Sequence, residues 1–384
     1  GGFGANRLVL SLGVSFTNFS MRKMFDKEAW QPLPAGDGQT LNLRAVTNGS
    51  YYQQYSLSFV EPWLGGRKPN SLSVSAYLSK QTNGITDKED PTRQVLRIFG
   101  STIGFGKRLQ VPDDYFIWRI SLGYQLYDLN NWQSLFNFSD GQSNVISLTT
   151  SISRNSVDAP FFARSGSDIT LSVKATPPYS RIFFRDRDYT DLSDADRYQW
   201  AEFHKWKFTT QWYQRLTRSK TGHELVLMAR AGFGFLGRYD RRVGDSPFER
   251  FYLGGVPLSG FALDGREIIY LRGYEDYTIS NSNGSGGDLF ITKYATELRF
   301  PISLNPQATI YALGFLEAAN SWNTIERYDP FRLYRSAGLG LRLFLPMFGP
   351  MGLDYGWRLD DVPAYPNMAK GQFHFTIGID LGEL

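Results

Sequence analysis

The chain has 384 residues, no cysteine, 41 Lys and Arg against 37 Asp and Glu for a net charge of +4, and an aromatic content of 16%. Without cysteine there is no disulfide framework, thiol nucleophile or thiolate metal site, and so thin a positive surplus, with no Lys/Arg cluster, excludes nucleic acid as the expected partner. A mean hydropathy of −0.33 and the lack of any apolar run near about 18 residues exclude a transmembrane helix, but not a membrane β-barrel, whose alternating strands average out.

Length alone would suggest two or three domains of roughly 100 to 200 residues. Charged residues at 20% and an aromatic, Gly-rich chain predict instead one all-β domain over 1–384. The chain opens without a charged stretch followed by an apolar one, so no signal peptide is expected in it. In chain order, Leu8, Leu10, Leu12, Val14 and Phe16 alternate with Ser11, Gly13 and Ser15, and Leu41, Leu43 and Ala45 alternate with Asn42 and Arg44. Ile169, Leu171, Val173 and Ala175 oppose Asp168, Thr170, Ser172 and Lys174, and near the end Phe373, Phe375, Ile377, Ile379 and Leu381 oppose His374, Thr376, Gly378 and Asp380. This is the period of strands with one apolar face. No segment sustains a helical period.

A soluble sandwich would turn its apolar faces inward and carry long solvating side chains outside. Here the second face is small and polar, which fits a polar lumen inside a lipid-facing band. Tyr51, Tyr52 and Tyr55 with Trp63, and Phe116 and Trp118 with Tyr124 and Tyr127, suit interfacial girdles. Fifteen full strands are expected, at 8–16, 40–48, 51–60, 71–80, 97–108, 115–127, 143–154, 167–176, 197–214, 223–235, 289–302, 308–319, 334–346, 350–358 and 371–381. If Asn6 and Arg7 form a tight turn, Gly1 to Ala5 are the tail of a sixteenth, giving the even number such barrels have. Turns at 111–114, 305–307 and 347–349 are short and predict a periplasmic side, where the links at 21–38 and 158–166 are longer than expected. Segments 81–94, 130–144, 179–196 and 236–288 are long and predict an extracellular side.

Segment 236–288 is too long for a plain connection and reads as functional. It carries Phe251-Tyr252-Leu253-Gly254-Gly255 and Leu271-Arg272-Gly273-Tyr274, which resemble the F-Y-x-G-G and V-R-G-F/Y signatures of the sixth extracellular loop of BamA-type outer-membrane protein insertases. Matches follow in the family's order. The stretch N-S-V-D-A-P-F-F-A-R-S-G from Asn155 resembles the link before the ninth strand, the stretch from Ser336 to Tyr355 the fourteenth and fifteenth strands, and Phe373 to Gly378 the closing strand. Tyr55 to Trp63, with Gly65 and Gly66, is similar to the Bacteroidetes branch. The family's periplasmic POTRA domains have no counterpart in these residues, and the chain runs past the last strand's Gly to Leu384.

The resemblance implies a 16-stranded antiparallel transmembrane β-barrel with a long lumen-directed extracellular loop, in the bacterial outer membrane. It also implies a lumen clamp in which Arg272, beside Gly273 and Tyr274, pairs with Glu297 and Glu317. A planar guanidinium suits two carboxylates; the bland alternative is three unrelated lumen charges. No enzyme, cofactor or metal site is expected. His204, His223 and His374 sit on separate strands without a partner nucleophile or carboxylate at motif spacing, and His374 reads as a solvated lumen residue. Asp186, Asp188, Asp191, Asp194 and Asp196 lack the Gly and terminal Glu of an EF-hand and, interleaved with Arg181, Arg185, Arg187 and Arg197, read as a self-neutralising surface loop.

The expected function is folding and inserting β-barrel proteins through a lateral seam between Gly1, Gly2, Phe3, Gly4 and Ala5 on one side and Phe373, Phe375, Ile377, Gly378 and Ile379 on the other. Glycines weaken a strand, and an opened edge can template a client strand. Expected partners are outer-membrane lipids, unfolded β-barrel clients, and accessory lipoproteins or surface proteins. The alternatives are a polypeptide-translocating sibling and a passive diffusion porin.

Overall fold

The computed structural model describes all residues except 1, 5–6, 31, 67–68, 133–135, 218–223, 255–266, 276–277, 282–285, 347–348 and 378–383; the side chains of 1–9, 281 and 377 are also outside it. The strands are β1 (Gly2–Gly4), β2 (Arg7–Phe19), β3 (Gln39–Asn48), β4 (Tyr52–Glu61), β5 (Asn70–Thr82) and β6 (Val95–Arg108). Next come β7 (Phe116–Asn130), β8 (Gly141–Asn155), β9 (Gly166–Ala175), β10 (His204–Arg215), β11 (Val226–Gly237), β12 (Phe251–Gly254) and β13 (Glu267–Tyr270). The last are β14 (Phe290–Asn305), β15 (Ala308–Trp322), β16 (Tyr334–Leu345), β17 (Gly349–Arg358) and β18 (Gly371–Ile377).

All but β12 and β13 form one 16-stranded sheet in which each strand neighbours the next of the sheet in sequence. Its pairings are antiparallel, whereas β12 and β13 pair in parallel within the loop between β11 and β14. The sheet curls. Phe161, between β8 and β9, stacks on Phe344 of β16 at 3.5 Å, and a cavity of about 280 Å3 is lined jointly by Tyr213, Arg230, Arg299, Tyr311, Arg342 and Thr376.

Alternation decides which way each strand faces. On β17, Gly352, Asp354, Gly356 and Arg358 are buried while Leu353, Tyr355 and Trp357 are exposed. On β15 the buried set is Thr309, Tyr311, Leu313, Phe315, Glu317 and Ala319, and Leu316 on the other face is 61% exposed. On β17 small and polar residues face in and apolar ones out, the reverse of a water-soluble sheet, while β15 also turns Leu313 and Phe315 inward. Leu12, Leu122, Leu339 and Phe373 belong to the same outward apolar surface, which needs lipid against it.

Several expectations need correction. Gly4 pairs with Arg7, so Arg7 belongs to β2 and the two-residue link lies outside the described residues. The strand expected at 197–214 begins only at His204. Residues Asp194–Arg197 form a helical turn capped by Ser193, and Ala201 and Asn144 hydrogen-bond across the gap. Two more single-turn helices occur, Tyr179–Ile182 and Thr278–Asn281; each is too short to leave a periodic signal. The last strand is described to Ile377, and Leu384 is buried so close to β11 that a Cβ at Gly232 would collide with it.

The lumen face is also less polar than expected. Leu96, Ile98, Tyr127 and Val145 point inward and form one buried cluster with Phe248, Phe251, Leu253, Ile269 and Leu271 of the loop. Tyr127, expected at an interface, packs on Phe248 with ring centroids 4.6 Å apart. Tyr52 is likewise buried, whereas Tyr55 and Trp63 are exposed. A loop filling the lumen demands apolar partners on the wall behind it, and alternation alone does not reveal which wall that is.

The assignment of faces predicts that Leu122→Lys, on the lipid side of β7, costs the barrel about 2–4 kcal/mol while Ser121→Lys, one residue away on the lumen side, costs under about 1 kcal/mol. Denaturant titration in lipid vesicles measures both.

Candidate functional site: the clamped lumen loop

The loop enters the lumen after β11 and returns to β14, stiffened by its own secondary structure. Phe251 bridges Asp288, β12 pairs with β13, and Leu271 N donates to Gly254 O at 2.6 Å. This frame ends at Arg272 and aims it at the wall formed by β14, β15 and β17. Arg272 Nη2 donates to Glu297 Oε1 and to Glu317 Oε1, each at 2.8 Å, and its backbone N donates to Glu317 Oε2 at 2.9 Å.

The structure therefore brings together the three residues of the expected clamp and adds a third acid. Arg272 Nη1 lies 3.3 Å from Asp354 Oδ1. Asp354 sits within the G-L-D-Y stretch on the inward phase of β17, so alternation was the signal that could have found it. Phe315, one turn of alternation below Glu317, lies under the guanidinium at 3.7 Å, a cation–π contact strengthened by desolvation. Arg299 pairs with Glu297 at 2.7 Å and Arg342 with Asp354 at 3.0 Å. Three arginines thus face three carboxylates.

This site is dry. The side chains of Arg272, Glu297, Glu317 and Asp354 are each no more than 7% exposed. Burial alone would lower the affinity of Arg272 for its proton, and the carboxylates around it more than reverse that, so the guanidinium is held above its ordinary range. It is a fixed charge at any pH the protein meets.

Gly273 and Tyr274 complete the tip. Gly273 has φ +91° and lies against the β17 backbone, where a Cβ would come within 3.1 Å of Arg358 N. Gly356 opposite is as tight, a Cβ there standing 2.6 Å from Gly273 N. Gly273 N donates to His374 Nε2 at 2.9 Å, so His374 is a buried acceptor on β18 and not the solvated residue expected. The Tyr274 hydroxyl, on a fully buried ring, donates to Arg335 O at 2.8 Å.

A second set of charges holds the loop to the neighbouring stretch of wall, β9 and β10, with β11 between it and β14, and the sequence reading missed it. Glu249 pairs with Lys174 of β9 at 2.5 Å and with Lys205 of β10 at 3.2 Å. Glu267 pairs with Lys207 at 2.9 Å and with Lys205. Burial pushes both carboxyls up, but the lysines beside them prevail and hold both below the usual carboxylate range. Lysines on consecutive inward positions of β10 were the only available sign.

Of the seam positions, β1 pairs with β2 at Gly2, Phe3 and Gly4, and β18 with β17 from Gly371 to Ile377, with Phe373 facing outward. Gly1, Ala5, Gly378 and Ile379, and Gly255 of the loop signature, lie outside the described residues. Among the described residues no pairing joins β1 to β18. In the loop of acidic residues, Asp194 pairs with Arg197 at 3.3 Å and Asp188 accepts from Thr190 N at 2.9 Å.

An antiparallel barrel whose lumen holds an ion-paired loop is the class of protein that fold and site define, and its exposed apolar outer face is that of an outer-membrane barrel. The chain belongs to the Omp85 superfamily, whose domain matches residues 35–381. Among solved structures it is similar to BamA from Haemophilus ducreyi lacking POTRA domains 1-3, with a TM-score of 0.67 and 19% identity over 97% of this chain and 68% of that one. It is also similar to CdiB from Escherichia coli, with a TM-score of 0.54 and 13% identity over 96% of this chain and 58% of that one. Identities this low carry the fold alone. No curated protein matches the chain by sequence.

Replacing Arg272 by Ala leaves three buried carboxylates without their shared cation, a loss of about 3–5 kcal/mol. Limited proteolysis of the loop and the denaturation midpoint should both report it, and Arg272→Lys should recover only part, because an ammonium lacks the fork. The lysine-bearing stretch of wall predicts a pH response. Carboxyls with depressed values in the folded state stabilise docking fully above their ordinary range and lose that contribution progressively as pH falls from that range to the folded values. Loop protection should therefore persist at pH 5 and fall only below about pH 4, as hydrogen exchange of Glu249 and Glu267 neighbours would show.

Proposed function

We propose that this chain is the barrel of an outer-membrane protein assembly machine, folding and inserting β-barrel clients through a seam between β1 and β18. The observation that carries the reading is the order of the sheet, which ends at β1 and β18 with no pairing between them among the described residues. β1 is three residues long and two of them are glycine. A sheet end with unpaired N–H and C=O groups is a template for another strand, and Phe373 beside it faces the lipid into which a client strand would pass. The clients are unfolded β-barrel chains, and accessory lipoproteins or surface proteins are further partners. No covalent chemistry or cofactor is involved. The Tyr55 to Trp63 wording supports the Bacteroidetes branch.

The filled lumen favours this route over the alternatives. A diffusion porin needs an open aqueous path, while here Phe251, Leu253, Ile269 and Leu271 are buried in the channel. A polypeptide-translocating relative, the reading to which the similarity with CdiB points, would have to clear the same loop and break both sets of ion pairs. Lateral passage leaves them in place.

These 384 residues hold no cysteine, so introduced pairs are the only thiols of the barrel. In the full-length protein, cysteine pairs placed at Gly2 or Gly4 and at Phe373 or Phe375, kept where Cα separation permits a bridge, should stop outer-membrane protein assembly when oxidised and release it with reductant. A control pair at Leu12 and Ala45, register partners within β2 and β3, should leave assembly unchanged. Full assembly with the seam cross-linked sinks the proposal.

A further inference from the structure

The connections at the short-turn end of the barrel differ sharply in character. Between β14 and β15 the turn is Pro306 and Gln307, exposed and without a bulky apolar side chain. Between β2 and β3 the chain instead builds an ordered extension of the hairpin. Ser20 N donates to Pro34 O at 2.9 Å, Phe19 bridges Ala35, and a 3-10 turn at Lys27–Ala29 is capped by Asp26, which accepts from Glu28 N at 3.1 Å. The Trp30 indole donates to Met24 O at 3.1 Å. That framework leaves Met21, Met24, Phe25 and Trp30 exposed, Phe25 by 93%.

The next two connections at this end repeat the pattern. Trp63 and Leu64 are exposed between β4 and β5, and Val111 and Tyr115 between β6 and β7. Arg22, Lys23 and Lys27 in the first, and Lys107 and Arg108 before the third, supply cations. Phe161 between β8 and β9 and Leu216 after β10 are exposed too, but the exposed apolar residues are densest at the first three connections, an arc of the rim starting one strand from β1.

Ordered backbone that holds bulky apolar groups in water is costly, and such patches mark a surface that something covers. Three features identify the cover as lipid. The turns continue the outward apolar faces of the strands they join, where Leu10, Leu12, Val14, Leu57 and Leu122 already face the bilayer. Trp and Tyr among Lys and Arg is the composition of a headgroup boundary, where a ring can be half wet and cations meet phosphate. With strands spaced about 4.8 Å apart, the arc from β2 to β7 spans roughly 20 Å or more of curved rim, which a fluid leaflet follows.

We infer that the β2–β3 hairpin, with the β4–β5 and β6–β7 turns, inserts into the phospholipid headgroup layer at the short-turn end and anchors the first half of the barrel to that leaflet. The inference rests on the barrel fold and not on the insertase reading. Because these 384 residues have no cysteine, single nitroxide labels at Phe25→Cys, Trp63→Cys and Gln307→Cys can be placed in the full-length protein, with any cysteine outside them replaced by serine, in vesicles of phosphatidylethanolamine and phosphatidylglycerol. Power saturation should show the Phe25 and Trp63 labels relaxed more by oxygen than by an aqueous nickel chelate, and the Gln307 label the reverse. The Phe25 label decides. Greater relaxation by nickel places the hairpin in water, and shielding from both reagents places it against protein; either overturns the inference.

Discussion

A guanidinium inside a barrel must be answered by carboxylates, and most of the described arrangement around the loop follows from how Arg272 is answered. Desolvating a charge of this kind is costly unless its geometry is satisfied by partners. Glu297, Glu317 and Asp354 come from three different strands, so one side chain fixes their mutual placement across the wall. Glu317 accepts from both the side chain and the backbone of Arg272, which sets the orientation of the loop as well as its depth. Gly273 then has to approach the β17 backbone at Gly356, where no side chain fits on either residue.

The two docking sites offer the loop charges of opposite sign. Acids on β14, β15 and β17 receive the cationic tip, and lysines on β9 and β10 receive Glu249 and Glu267 from the loop's shoulders. Reversing the loop would set like charges together on both sides, so the electrostatics specify its direction as well as hold it. Between these contacts lies the apolar cluster of Phe251, Leu253, Ile269 and Leu271. Burial there supplies nondirectional attraction, while the ion pairs supply registration.

Strand number, face and order could be read from the sequence because period-2 alternation is a local property, and β17 or β11 shows it in nearly every residue. Arg272, Glu297 and Glu317 could be named because their motifs resemble a family's, not because spacing brought them together; the residues lie on separate elements. Asp354, Lys205 and His374 were hidden for a physical reason. Each looks like any polar residue on a lumen face, and only the loop that covers it makes it a partner. The start of β10 was misplaced because Tyr198, Trp200 and Glu202 alternate like a strand, yet the backbone between them is committed to Asn144 through Gln199 O and Ala201 N, and the Tyr198 hydroxyl donates to Asp245 O of the loop. Long-range contacts overrode a correct local pattern.

The plug and the last strand are not independent of each other. Gly273 N is bonded to His374 on β18, and Glu275 lies 3.2 Å from Gln372 on the same strand. The loop is thereby tied to a sheet end that has no described partner across the seam. A swing of β18 away from β17 strands a buried amide at Gly273, at a cost of about 1–3 kcal/mol for each unsatisfied group, unless the loop tip moves too. The tip cannot move far while Arg272 is gripped by β14, β15 and β17. In the proposed insertase, the lower-cost way to widen the seam is therefore for β1, held to β2 by a few glycine-rich pairs, to peel away while β18 stays seated on the loop. Of the two edges, the clamp makes β18 the fixed one.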